Sequence, residues 1–118
     1  MKISKYGETA IKAVNYVNEG YTAEEAWEKA SCEIFIKGSS MQKKGCPRGA
    51  FLGLFSRDPV KLNSKNAFYA QRAVTILKNN PNKKFTPDEL WMIVLDNNFL
   101  RYNSQMDVVL ALWENDLI

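Results

Sequence analysis

The sequence predicts an all-α protein: a compact single-domain bundle of about five to six short helices spanning residues 1–118. Three observations carry that expectation. Apolar residues recur at i, i+3 and i+4 through most of the chain, the period of one helix face. Thr22-Ala-Glu-Glu25 and Thr86-Pro-Asp-Glu89 both have capping-box spacing, in which a Thr hydroxyl and a Glu carboxylate satisfy each other's orphan backbone N–H groups. No stretch alternates apolar and polar residues for long enough to make a strand. With 118 residues there is room for one core and not two.

Tyr6, Ala10, Ala13, Val14 and Val17 place a first helix at about residues 4–18, ending near Asn18-Glu19-Gly20. The second opens at the Thr22 capping box, buries Ala23, Ala26, Trp27, Ala30 and Ile34, and stops at Gly38. Residues 38–49 break the periodicity. Pro47 then suits the first position of a short helix, since its φ is already helical and its missing N–H would be unpaired there. That helix carries Phe51, Leu52, Leu54 and Phe55, which cannot share one face, so it is buried on more than one side. Arg57-Asp-Pro-Val reads as a loop. A fourth helix starts at Asn63 or Ser64 and runs to about Lys78, with Ala67, Ala70, Ala73, Val74 and Leu77 inward. A second stripe on it mixes Lys65, Tyr69, Arg72 and Ile76. After the polar loop 79–84, the Thr86 capping box opens a fifth helix, with Phe85 able to pack on Leu90, and Asp96-Asn-Asn closes it. A sixth opens at Asn103 or Ser104 and carries Val109, Leu112 and Trp113 to the terminus. The parallel between Tyr21-Thr-Ala-Glu-Glu-Ala-Trp27 and Phe85-Thr-Pro-Asp-Glu-Leu-Trp91 reads as convergence on a good helix start rather than duplication, because nothing downstream matches.

Several function classes fall away. The chain has no histidine, which excludes Ser-His-Asp and Cys-His nucleophile systems and every His-ligated metal site. No apolar run is long enough to span a bilayer, and the N-terminal residues form no export signal, so the expectation is a cytoplasmic protein without a membrane partner, metal or cofactor. Cys32 and Cys46 are too few and too far apart for a CxxC pair or a four-thiolate zinc site. Two free thiols are expected in a reducing compartment, with Cys32 a small core residue; a Cys32–Cys46 disulfide is the rarer alternative.

Charge is segregated along the chain. Residues 1–36 carry four Lys against six Glu, residues 37–84 carry eleven Lys or Arg against Asp58 alone, and residues 85–118 carry Arg101 against six acids. A basic block of this kind attracts phosphates, unless the acidic ends fold back to neutralise it.

Lys43-Lys-Gly-Cys-Pro-Arg-Gly49 is the segment with unusual chemistry. A helix opening there would point first-turn N–H groups into a loop where Gly45 and Gly49 allow close approach and Lys43, Lys44 and Arg48 add charge. That combination describes an anion site. It is neither a Walker A loop, since GxxxxGK[ST] is absent, nor a Cys-x5-Arg phosphatase loop, since position 52 is Leu. Lys61, Lys65 and Arg72 would extend the basic surface, with Tyr69 as a stacking platform; alternatively their stems simply cover apolar area. Cys46 at the N-cap would be a candidate nucleophile, although no base or orienting partner is visible. The last helix is no DNA reader: it has no Lys or Arg from Tyr102 onward and would be repelled by phosphates. Trp113 and Leu117 look instead like packing surface, internal or between subunits.

At Lys44-Gly-Cys-Pro-Arg-Gly-Ala-Phe-Leu-Gly-Leu54, with Ala26-Trp-Glu-Lys-Ala30 upstream, the sequence resembles a family of small bacterial proteins of unknown function. The resemblance covers roughly the first half of the chain and implies only that the block around Cys46 marks the family. The reading reached from sequence is a non-catalytic helical protein that binds an anionic partner, nucleic acid or a phosphate-bearing ligand, through segment 37–84. Two alternatives come from other classes: a self-associating or protein-binding module using the acidic, apolar C-terminal helix with Trp113 and Leu117 as anchors, and a thiol enzyme using Cys46.

Overall fold

A computed structural model describes residues 4–96 and 100–118, which form seven α-helices and no strand. They are α1 (Lys5–Asn18), α2 (Ala23–Ile34), α3 (Gly45–Phe55), α4 (Pro59–Leu62), α5 (Lys65–Asn79), α6 (Pro87–Leu95) and α7 (Gln105–Glu114). The Cα radius of gyration is 13.3 Å, close to the ~13.5 Å of a compact chain of this length. No helix among the described residues is long and apolar enough to cross a membrane.

The local signals explain most helix ends. Ser4, Thr22, Asp58, Ser64 and Thr86 each accept a first-turn backbone N–H, and both capping boxes close reciprocally. Three boundaries differ from expectation. The helix expected to start at Pro47 begins two residues earlier, at Gly45, with Lys44 as N-cap and no side-chain cap. Pro47 still lies in the first turn, where an N–H would have no intrahelical partner, and Cys46 becomes the second helical residue instead of the cap. The segment read as a loop at Arg57-Asp-Pro-Val contains α4, a single turn started by the Asp58 carboxylate and Pro59. And α2 ends at Ile34, so Gly38 (φ 82°) serves the following turn and not the helix stop. That turn is pinned by the buried Gln42, whose Nε2 donates to Ser31 Oγ at 2.9 Å while its Oε1 accepts from the Gly38 N–H at 3.2 Å. Of the expected closing run of the fifth helix, Asp96 caps α6 in a left-handed conformation, and Asn97 and Asn98 lie outside the described residues.

Two helix pairs flank a central helix. The hairpin α1–α2 is held on its outer face by Glu33, which accepts from Lys12 Nζ at 2.8 Å and from the Tyr16 hydroxyl. The bond to Glu33 pushes Tyr16 up to about 12. The second pair, α3–α5, meets at very small residues: a Cβ on Gly53 would sit 2.3 Å from Ala67 Cα, and one on Gly49 would sit 2.8 Å from Asn66 Cβ. The spacing Gly49-x-x-x-Gly53 therefore makes the flat strip on which α5 rests, its own contacts being the buried alanines 67, 70 and 73. Between the pairs runs α7, packed against α1, α3, α5 and α6. Its residues from Gln105 to Leu112 are buried apart from Asp107, which accounts for a helix with no amphipathic face and no cation. It ends at Glu114, short of the terminus, where Asp116 turns left-handed and the Leu117 N–H returns to Leu112 O at 2.9 Å. Trp27 (α2) and Phe51 (α3), both essentially fully buried with ring centroids 5.3 Å apart, tie the hairpin to the second pair.

Candidate functional site

Because Gly49 and Gly53 let α5 approach so closely, the first turn of α5 lands beside the first turn of α3. Cys46 from α3 and Lys65, Asn66 and Tyr69 from α5 then line one cavity of about 330 Å³. Trp91 of α6 and Leu100, Arg101, Asn103 and Gln105 from the approach to α7 also line it. Two of these nine residues are cations and none is an acid.

Internal hydrogen bonds fix this wall. Trp91 donates from Nε1 to Leu100 O at 3.1 Å, which ties residue 100 to α6. Gln105, 3% exposed, accepts the Asn103 N–H on Oε1 at 2.9 Å and donates from Nε2 to Asn66 Oδ1 at 3.2 Å. The amide oxygens of Gln105 and Asn66 are thus occupied, while Asn66 Nδ2 has no partner among the described residues. Behind the wall, Tyr102 packs on Trp91 with centroids 5.6 Å apart, donates to Asp107 Oδ1 at 2.7 Å and accepts the Asp107 N–H at 2.8 Å. Burial, and secondarily the Asp107 carboxylate, push the Tyr102 hydroxyl far above its ordinary pKa, so it stays a neutral brace.

The expected anion-site residues do not all converge. Cys46 and Lys65 line the cavity, and Gly49 lies directly beneath Asn66, so its missing Cβ makes room for α5 and not for a ligand. Nothing lies within 4 Å of a Cβ built on Gly45, which leaves that end of α3 open. Lys43 is exposed; Lys44 extends over the Tyr6 ring, 5.5 Å from its centroid. Arg48 and Lys61 are half-buried outside the cavity lining, and Arg72 has the Asp96 carboxylate at 3.9 Å. Besides that contact, the ion pair Lys12–Glu33 is the only one among the described residues. Among the described residues, Asp96 at Arg72 is thus the one close ion contact between the acidic ends and the basic middle, although Glu24 also accepts from Ser56 Oγ at 2.7 Å and shares a cavity with Arg57. Trp113 and Leu117, the expected interface anchors, are half-buried and packed against the core.

Sequence reasoning missed Arg101, Asn66, Asn103 and Gln105. Arg101 is the single cation of residues 85–118 and offered no cluster to notice; the amides become a site only through the fold. Cys32, expected in the core, is half-buried on α2 with its Sγ 3.7 Å from Glu28 Oε1. Burial and Glu28 push that thiol's pKa up. Both cysteines are free thiols, and no group of three or more Cys, Asp or Glu among the described residues could hold a metal ion.

A larger cavity, about 500 Å³, lies between the α1–α2 turn and the α3–α4 junction. Glu24 and Asp58 line it against Arg57 alone, so its charge opposes an anion.

No curated protein and no solved structure matches the chain. A family match, in contrast, reaches well beyond the Cys46 block and takes in the cavity walls from both halves of the sequence: the chain belongs to DUF6979, a family of unknown function, which it matches over residues 3–118.

Proposed function

We propose that this protein binds an anionic, phosphate-bearing partner in the cavity between α3, α5 and residues 100–105, without catalysing a reaction on it. The observation that carries the reading is the composition of the wall: among the described residues, Lys65 and Arg101 share it with no carboxylate in the lining and no acid within 4 Å of either cation. Asn66 adds a neutral amide to the lining, and Cys46 brings the first turn of α3, the positive end of its dipole, to the same wall. At about 330 Å³ the cavity falls at the small end of ligand-site sizes.

Titration with inorganic phosphate at low ionic strength, followed by amide chemical shifts, tests the reading. Shifts should concentrate on residues 45–49, 65–69 and 100–105. In Lys65→Gln with Arg101→Gln the affinity should fall at least about tenfold, or ~1.4 kcal/mol. Both cations lie at the cavity rim and take no part in the core, so the fold should survive the change. Absence of binding at low salt, or binding undiminished in the double variant, contradicts the reading.

A further inference from the structure

The cavity wall carries a feature that an inorganic anion would not use. Tyr69 is half-buried on α5, one turn beyond Lys65, and its ring forms part of the lining. Its two aromatic neighbours meet it edgewise: Phe68 at 64° and 6.1 Å, Trp91 at 82° and 5.2 Å. Among the described residues no ring lies parallel to Tyr69. Trp91, itself 5% exposed and tethered to Leu100 O, holds the Tyr69 ring in place. Beside this platform, Asn66 and Asn103 contribute neutral amides to the same lining. Tyr69 and the cations thus offer two different chemistries along one open pocket.

Building on the anion reading above, we propose that the occupant is a small phosphomonoester bearing a planar heterocyclic ring, of mononucleotide size, with its phosphate between Lys65 and Arg101 and its ring on Tyr69. A nucleic-acid strand fits less well. Strand-binding surfaces are grooves that continue past the bases they stack, whereas Lys43, Arg48 and Lys61 lie outside this cavity's lining and Arg72 already has a carboxylate neighbour.

Calorimetric titration with AMP, ribose 5-phosphate, adenosine and a single-stranded oligonucleotide tests the assignment. AMP should bind at least about tenfold more tightly than ribose 5-phosphate, the scale of one base–aromatic stack, and adenosine more weakly than AMP. Tyr69→Phe should keep the preference for AMP over ribose 5-phosphate, and Tyr69→Leu should abolish it. Equal affinities for AMP and ribose 5-phosphate in the unmodified protein would overturn the ring assignment while leaving the anion reading intact. No binding by either phosphate would overturn both. A strand bound more tightly than AMP would overturn the small-ligand assignment. The wild-type comparison decides even if Tyr69→Leu fails to fold.

Discussion

Gly53 and Gly49 sit one turn apart on α3 and meet different neighbours. At Gly53 an added methyl would run into backbone, 2.3 Å from Ala67 Cα, and nothing there can rotate away. Gly53→Ala is therefore expected to cost about 2 kcal/mol or more, lowering the thermal midpoint by roughly 8 °C or more. At Gly49 the overlap is shallower: Asn66 Cβ, fixed to the backbone, would lie at 2.8 Å, and the Asn66 amide, which can rotate, at 3.1 Å. Gly49→Ala should cost less stability than Gly53→Ala but displace an amide of the cavity wall, so phosphate affinity should drop in a protein that remains folded. Thermal unfolding of both variants, with a phosphate titration of the second, checks the pair; equal destabilisation would contradict the contrast. These two glycines also show where sequence reasoning stops. Gly49 looked like room for a ligand because its partner, Asn66, is seventeen positions away and only the packing of α5 reveals it. Arg101 was illegible for the same reason.

At the scale of elements, what was readable was what is local. The two Thr-x-x-Glu boxes, the Ser64 cap and the alanine stripe of α5 are set by residues within four positions of one another, and each appears as expected. The start of α3 two residues before Pro47 is not legible because Lys44 gives no capping signal, and α4 leaves no trace in the sequence because four residues with no buried side chain carry no periodicity. The capping boxes give two further predictions. Thr22→Ala and Thr86→Ala should each destabilise by ~1 kcal/mol, measured by denaturant midpoint. Backbone and hydroxyl groups of Thr22 and Thr86 hold the Glu25 and Glu89 carboxyls below the ordinary carboxylate range. A depressed folded-state pKa means stabilisation that is present above the unfolded value, near pH 4.3 as an order-of-magnitude figure, and lost as pH falls through the folded value. Glu25→Gln with Glu89→Gln should thus flatten the acid limb of the stability profile between about pH 5 and pH 3; an unchanged limb would rule out this contribution.

For the whole molecule, helix content and the absence of strand followed from periodicity, but the central place of α7 did not. Its acidic, apolar sequence is compatible with packing inside the molecule or between subunits, and the fold packs it against four other helices. The basic middle of the chain is visible as a charge block, yet the fold selects from it: Lys65 and Arg101, from the acidic end, line one cavity, while the other cations of the block lie outside that lining. The two free cysteines report on that selection because both are half-buried and their surroundings differ in charge, Cys46 sharing a cavity with two cations and Cys32 lying beside Glu28. Alkylation by neutral iodoacetamide, followed site by site with mass spectrometry, reads them in one sample. Saturating phosphate should slow modification of Cys46 several-fold and leave Cys32 unchanged; equal rates at Cys46 with and without phosphate would contradict occupancy of this cavity by an anion.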